Sequence, residues 1–283
     1  MTESAVALRP EKGLHNHRYR SRYELQVLIF PVGLTWGSFR YCTCVPDLVK
    51  LVDLSQEIYQ GMPVPPGGLE TVLWYHATHE ETKKSFPQEY PFHSYATMGM
   101  LISDHSSTHV DSIFHVSDEP DAPTIDRLPL EMFYTEAICL DVSHVPADRF
   151  ITLKDVKEAL GKSELKINKG DSVLLYTGHY SRSYGTIDWL YQYTGPDLEA
   201  ANWLADQGVV NIGADAPSID SSKSMDTKYY PGHSVCKDRK ILNTENLANL
   251  EEVAGKRFIF VCFPLRIRRG TGSPTRAVAI LSD

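Results

Sequence analysis

Short apolar runs alternating with helix-patterned stretches limit what this chain can fold into more than any other feature. "LVKLVDLS" (48 to 55), "GMLISD" (99 to 104), "AICLDVS" (137 to 143), "SVLLYTG" (172 to 178), "VVNIGAD" (209 to 215) and "RFIFVCFPL" (257 to 265) have the length and composition of strands. Between them, "TLKDVKEALGK" offers Thr152 as an N-cap and Gly161 as a C-cap around apolar Val156, Ala159 and Leu160. "GPDLEAANWLADQG" does the same between Pro196 and Gly208, with Leu198, Ala201, Trp203, Leu204 and Ala205 free to form a buried face. The alternation predicts a single α/β domain built on a mixed sheet. Residues 1–47 differ in composition, a basic "HNHRYRSRYE" preceding the apolar, cysteine-bearing "FRYCTCVPDL". They read as an extension outside the main domain, either a docking arm or a partly disordered segment.

At 283 residues with 42% hydrophobic and 23% charged side chains, the chain can bury one large core or two small ones. Its 36 acidic against 28 basic residues give a formal charge of -8, which repels phosphate backbones and argues against a nucleic-acid partner. The five cysteines (Cys42, Cys44, Cys139, Cys236, Cys262) are odd in number, and the single residue between Cys42 and Cys44 suits neither a redox turn nor a zinc knuckle. A reducing, cytoplasmic compartment is the expectation. The first residues lack the apolar core of a secretory signal. "LQVLIFPVGLTWGSF" (25 to 39) is broken by Pro31, Gly33 and Gly37, short of the ~20 apolar residues a membrane helix needs. No membrane association is expected.

In "ISDHSSTHVDSIFHVSD" (102 to 118), His105, His109, Asp111 and His115 fall within eleven positions. His105 and His109 are four apart, as are Asp111 and His115, yet on one straight helix the two pairs sit roughly 160° apart. All four converge only if the chain turns within the segment. The strand-like run just upstream predicts such a turn, with His105 at a strand end followed by a turn and a short helix, where α/β folds place their chemistry. Imidazole nitrogens and a carboxylate are first ligands for zinc and suit manganese or iron, and two histidines plus an aspartate leave positions open for water and substrate. A fourth imidazole, His115, could move protons beside them. The competing reading is a histidine-rich polar turn, with Ser106, Ser107 and Thr108 as capping or turn hydroxyls. Spacing alone leaves both open.

The segment reads H-x-S-T-H-x-D-x-I-x-H and resembles the hallmark H-x-G-T-H-x-D-x-P-x-H of the metal-dependent cyclase family, which includes bacterial-type kynurenine formamidase, isatin hydrolase and trans-dienelactone hydrolase. Collinear blocks carry the resemblance from about residue 48 to the C-terminus: "APTIDRLPLE", "LLYTGHYSRSYG", "GADAPSID", "PGHSVCKDRKILNTENLANL" and "FPLRIRRGTGSPTRAVAI". It implies a swivelling β/β/α domain over residues 48–283, with a mixed, partly barrel-like β-sheet flanked by helices. It implies that His105, His109 and Asp111 bind a first divalent metal, zinc or manganese, and that His115 transfers protons beside it. In two-metal members Asp111 would bridge to a second ion held by the residues that match His233 and Glu245. In a one-metal member those two side chains would serve the substrate pocket. As residues alone, His233 reads as a loop histidine after Pro231-Gly232 and Glu245 as a charge near a helix N-terminus.

The activity implied is hydrolysis of the C–N bond of a small cyclic or aryl amide such as isatin or an N-formyl arylamine. Opening of a lactone, a biosynthetic cyclase or dehydratase step, and a non-catalytic metal-binding role are the alternatives. Phe114, Trp74, Tyr75 and Phe92 are available to contact a flat ring, with core packing as their other use. Asp215 and Ser218 follow a strand-like run and are candidates to line the pocket, Asp215 serving equally as a cap. Cys236 either faces the site or is a buried, inert thiol. The resemblance also implies a homodimer or homotetramer. Three departures stand out: Ser107 replaces the family glycine, Ile113 the family proline, and Pro65 in "GMPVPPGG" (61 to 68) an aromatic residue common there.

Overall fold

Along strand β5 (Tyr134–Asp141) successive buried residues join opposite clusters, Ile138 and Leu140 in one, Ala137 and Cys139 in the other. That two-residue alternation belongs to a strand covered on both faces. In the computed structural model, which describes residues 49–89 and 91–282, β5 lies near the middle of a nine-stranded sheet. The other strands are β1 (Lys50–Asp53), β4 (His109–Asp111), β6 (Ser172–Tyr176), β7 (Asn211–Ala214), β8 (Leu242–Glu245), β9 (Arg257–Val261), β10 (Gly272–Pro274) and β11 (Val278–Leu281), in the order β1-β11-β9-β5-β6-β7-β8-β4-β10. Strands β5 to β8 run parallel, and every other pairing is antiparallel. β2 (Val72–Ala77) and β3 (Thr97–Leu101) pair separately as a two-stranded sheet.

The parallel strands are joined through helices. These are α3 (Leu153–Ser163) between β5 and β6; α4 (His179–Ser183), α5 (Asp188–Tyr191) and α6 (Leu198–Asp206) between β6 and β7; and α7 (Ser224–Thr227) and α8 (Pro231–Arg239) between β7 and β8. Val156 and Ala159 of α3, Ala200, Ala201 and Leu204 of α6, and Val235 and Cys236 of α8 pack with Ile138, Val173 and Ile212 in one core. On the other face the sheet curls, so that Val52 from one edge and Val110 from near the other share a second core with Phe258, Phe260 and Ala279. Two short helices, α1 (His79–Lys83) and α2 (Ile113–Val116), lie outside these crossovers. The result is the α/β domain with a mixed, partly curled sheet that the sequence leads one to expect.

Thr152 caps α3 as anticipated: its side chain accepts from Asp155 N–H, and the Asp155 carboxylate accepts from Thr152 N–H, a reciprocal pair worth about 1 kcal/mol. The helix nevertheless runs past Gly161 to end at Glu164, which adopts the left-handed conformation itself. α6 is capped by Asp197 and followed by Gly208 at φ +82°. The run at 99 to 104 is the one strand-like run outside the main sheet, because its partner is the polar-aromatic β2.

Among the described residues no helix is long and apolar enough to cross a membrane. Cys139, Cys236 and Cys262 are buried free thiols, and burial pushes the Cys262 thiol up to about 12. Cys236 sits in the helix-side core rather than at the candidate site. The extension expected over residues 1–47, with Cys42 and Cys44, lies outside the described residues.

Candidate metal centre

The segment that carries the histidines is a turn, a strand and a short helix. His105 lies in the turn after β3, His109 and Asp111 on β4, and His115 on α2. The period of two along β4 sets His109 and Asp111 side by side on one face. β8 runs antiparallel beside it with Glu245 directly opposite His109, and Asn243 lies two residues before Glu245 on that same face. On the other side β10 places Gly272 opposite Asp111. A Cβ at residue 272 would stand 2.7 Å from His105 Cε1 and 3.0 Å from the Val110 carbonyl oxygen. The empty side-chain position there is what lets the His105 ring fold down over Asp111.

Hydrogen bonds fix which nitrogen each imidazole shows to Asp111. The Thr271 hydroxyl donates to Asp104 Oδ2 at 2.6 Å and therefore accepts from His105 Nε2–H at 2.8 Å, leaving His105 Nδ1 2.6 Å from Asp111 Oδ1. His109 donates through Nδ1 to the Ser107 carbonyl at 2.9 Å, leaving Nε2 3.4 Å from Asp111 Oδ1 and 3.5 Å from Glu245 Oε2. His233, in the first turn of α8, donates through Nδ1 to Asp220 Oδ2 at 2.5 Å, leaving Nε2 3.6 Å from both Asp111 Oδ2 and Glu245 Oε1. His115 Nε2 is 3.9 Å from Asp111 Oδ2, and its ring centroid is 4.0 Å from that of His105.

The carboxylates are held equally firmly. Asn243 Nδ2 donates to Asp111 Oδ2 at 2.8 Å and to Glu245 Oε1 at 3.1 Å. Ile219 N–H and the Ser218 hydroxyl also donate to Glu245 Oε1, at 2.8 and 3.2 Å. Asp111 Oδ1, on a side chain 1% exposed, is left buried without a hydrogen-bond donor of acceptable geometry. Glu245 Oε2 faces the same His109 nitrogen. Ring nitrogens with outward lone pairs thus point at carboxylate oxygens, an arrangement that repels itself unless positive charge lies between.

The titration behaviour carries the same signature. Burial disfavours a His109 cation, but the Asp111 and Glu245 carboxylates outweigh it and hold the imidazole up at about 10. Burial likewise opposes a charged His233, and its bonds to Asp111 and Asp220 still raise it well above the ordinary value. Burial works against an ionised Asp111 too, yet the surrounding imidazoles keep it well below the usual carboxylate range. Protons on His109 and His233 hold the place of a cation, and a divalent ion would displace them. The donor atoms of His105, Asp111 and His115, and those of His109, Asp111 and Glu245, lie within 4.8 Å of one another. Two overlapping groups that share Asp111 can therefore coordinate a divalent metal.

The cluster forms the floor of a cavity of about 360 Å³, whose walls are largely apolar and include Met62, Pro65, Leu69, Trp189 and Tyr193. His179 stacks on Trp189 at 4.9 Å and bonds its carbonyl at 2.9 Å, so the indole is fixed. Ser218, a candidate pocket residue from the sequence, lies on this cavity. The other five expected contacts do not. Trp74 lies across Gly99 of the neighbouring strand, its ring filling the space where a Cβ would be, and is 49% exposed. Phe92 is 64% exposed and packs edge-on against Phe86 at 5.4 Å. Phe114 is one position, about 100°, around the helix from His115 and so points elsewhere. Asp215 is buried behind the wall, where its Oδ1 accepts from Thr177 N–H and hydroxyl at 2.8 and 2.6 Å. Tyr75 is 61% exposed on β2. Residues that the sequence reading missed are Asn243, Asp220, Gly272, Trp189 and Tyr193. Only Asn243 left a local trace, the two-residue spacing to Glu245 within "LNTE".

Ser107 keeps a left-handed backbone at φ +56° although it carries a side chain. Its hydroxyl donates to the Gln56 carbonyl at 3.1 Å, and its own carbonyl is the acceptor that orients His109. Ile113 occupies the first position of α2, where a proline's missing N–H would cost nothing, and buries its side chain in the second core.

Comparison with known proteins agrees with this geometry. The family model described as "Putative cyclase" matches residues 52–221. The chain is 30% identical over 232 residues to the kynurenine formamidase of Salinibacter ruber, covering 81% of this chain and 97% of that protein. It is 26% identical over 194 residues to the isatin hydrolase of Roseibium aggregatum, covering 64% and 73%. A crystal structure of an isatin hydrolase bound to the product analogue thioisatinate superposes with a TM-score of 0.71 at 22% identity, over 83% of this chain and 93% of that one. Spanning more than half its length with the family model and nearly all of a relative at this identity, the chain belongs to the cyclase family of metal-dependent hydrolases.

Proposed function

We propose that the protein is a metal-dependent hydrolase that opens the C–N bond of a small cyclic or aryl amide. The observation that carries this reading is the buried Asp111 carboxylate, with an unbonded oxygen faced by oriented imidazoles at the floor of an apolar cavity. The kynurenine formamidases and isatin hydrolase among its relatives act on such bonds by name, which supports the substrate class. In this reading His105, His109 and Asp111 would hold a zinc or manganese ion, and His233 and Glu245 would help Asp111 hold a second. A bound divalent ion supplies the Lewis acidity that makes water a nucleophile near neutral pH.

The remaining work falls to side chains. Apolar walls exclude bulk water and leave a flat ring against Trp189 and Tyr193. A C–O bond forms from water to the carbonyl carbon as the C–N bond breaks, and the nitrogen must leave carrying a proton. His115 is placed to move that proton. Burial pulls its imidazole below the ordinary value, with Asp111 opposing, which favours the neutral ring that can accept the proton from water and return it to nitrogen. We place any homo-oligomer contact on the exposed β2–β3 face that carries Tyr75, Met98 and Met100, to be checked by light scattering.

The test is elemental analysis of the purified protein, followed by assays with isatin, N-formylkynurenine and a dienelactone, with and without chelator. Chelator-sensitive turnover of an amide is expected. Turnover of the dienelactone alone would move the reading to a lactone hydrolase, and metal-bearing protein without turnover to a binding role. His109→Ala is expected to lose metal and activity together, and His115→Ala to keep metal and lose rate.

A further inference from the structure

Gln56 follows β1 and is 6% exposed. Its backbone is tied at both ends to the turn between His105 and His109: its N–H donates to Thr108 Oγ1 at 2.8 Å, and its carbonyl accepts from Ser107 Oγ at 3.1 Å. The residue lines the same cavity as His105, His109, His115 and His233. There Nε2 is buried and has no hydrogen-bond partner. Of the cavity-lining side chains other than the metal cluster, none else among the described residues has a buried polar atom in that state. Neighbouring polar groups are already committed: Ser106 Oγ accepts from Ser103 N–H, Ser107 Oγ donates to Gln56, and Ser218 Oγ donates to Glu245.

A buried amide donor without an acceptor bears its full desolvation penalty, whereas an apolar side chain of the same shape bears none. Packing alone would favour methionine or leucine here. The terminal torsion of glutamine is broad, so the amide can turn toward an acceptor in the cavity without moving the anchored backbone. The metal-ligand turn to which Gln56 is stitched fixes where such an acceptor would lie, next to the reacting centre.

We propose that the Gln56 side-chain amide donates a hydrogen bond to the carbonyl oxygen of the bound substrate and holds it as negative charge builds there. This rests on the amide-hydrolase reading. Fixed donors aimed at a developing oxyanion act strongly in a site shielded from water.

The experiment compares wild type with Gln56→Met, a change of little volume, in three measurements: thermal unfolding, kcat and KM on isatin and formanilide, and isatin binding by calorimetry. Expected for Gln56→Met are an unchanged or higher Tm, because an unpaired donor is gone, and a kcat lower by about 100-fold on whichever amide wild type hydrolyses. Equal kcat in the two proteins overturns the Gln56 assignment and leaves the hydrolase reading standing. A Tm lower by several degrees alongside the lost rate makes Gln56 a packing residue and also overturns it. If wild type hydrolyses neither amide but binds isatin more tightly than Gln56→Met does, the hydrolase reading falls and the donor role stands. Absence of both turnover and binding removes both.

Discussion

Gly272→Ala tests whether the floor of the site is built by strand pairing. Residue 272 pairs with Asp111 across β10 and β4, so a methyl there projects on the face that carries Asp111. It would meet His105 Cε1 at 2.7 Å, His105 Nδ1 at 3.1 Å and the Val110 carbonyl oxygen at 3.0 Å, about 0.7 Å short of ordinary contact at the tightest of these. The carbonyl belongs to a paired strand and cannot yield, so the imidazole must. His105 is held at Nε2, 2.8 Å from the Thr271 hydroxyl, with Nδ1 2.6 Å from Asp111, and a shift of that size breaks the first contact or moves Nδ1 off the cluster. Overpacking of this kind costs about 1–3 kcal/mol of stability. Loss of the orienting contact lowers metal affinity roughly 10–100-fold. Urea unfolding of the chelated protein reads the first, and calorimetric titration of that protein with zinc or manganese reads the second. A Gly272→Ala protein with wild-type stability and a metal affinity within twofold of wild type would refute the argument that this glycine makes room for His105.

Four further outcomes follow from the same geometry. Asp220→Ala removes the acceptor of His233 Nδ1 and of the Gly232 and His233 amides, and on the two-ion proposal should cut affinity for the ion at His233 by roughly 10–100-fold while leaving the other bound; a full two-ion titration would refute it. Metal binding must displace protons from His109, held at about 10, and from His233, so apparent affinity should rise with pH up to that value, and calorimetry in buffers of different ionisation enthalpy should record proton release. Burial raises Asp215 to about 6 against an ordinary 3.8, so the folded state binds the extra proton between those values and stability from this group falls as pH rises through that window. Asp215→Asn keeps the acceptor for Thr177 and should therefore be more stable than wild type above pH 6 and not below pH 4, by on the order of 1–3 kcal/mol in denaturant titrations. Ser107→Gly trades strain of about 1–3 kcal/mol against one hydrogen bond of about 1 kcal/mol and should be neutral to stabilising, whereas Ser107→Val should be clearly destabilised in the same assay.

The parts of the molecule legible in the sequence are those set by local periodicity. Ile138 and Leu140 against Ala137 and Cys139 state a two-faced strand, and Thr152 with Asp155 states the start of a helix. β4, β8 and β10 escaped because strands of three or four residues are too short for alternation to show, and their content is polar: "HVD", "LNTE" and "GSP". Those three strands are the ones that build the site, since a floor of ionisable groups cannot carry an apolar pattern. The aromatic residues misled for a related reason. Trp74 and Phe92 look like ring contacts by type, but Gly99 and Phe86 give them somewhere else to pack, and nothing near them in sequence announces it.

The departures from the family hallmark show how much of the motif is backbone. His109 can offer Nε2 to the cluster only if Nδ1–H has an acceptor, and that acceptor is the carbonyl of residue 107, two positions back. A carbonyl turned toward the following strand in this way needs a left-handed residue, which explains why glycine suits the position and why Ser107 sits at φ +56°. The serine hydroxyl bonds the Gln56 carbonyl, so the strain is offset by a contact that glycine could not make. Together with the bond from Gln56 N–H to Thr108 Oγ1, that contact couples residue 56 to the histidine turn and so ties the cavity wall to the clustered imidazoles. The imidazoles of the cluster are therefore oriented less by their own spacing than by the acceptors behind them: Ser107 for His109, Thr271 for His105 and Asp220 for His233, drawn from three separate segments that only the fold brings together.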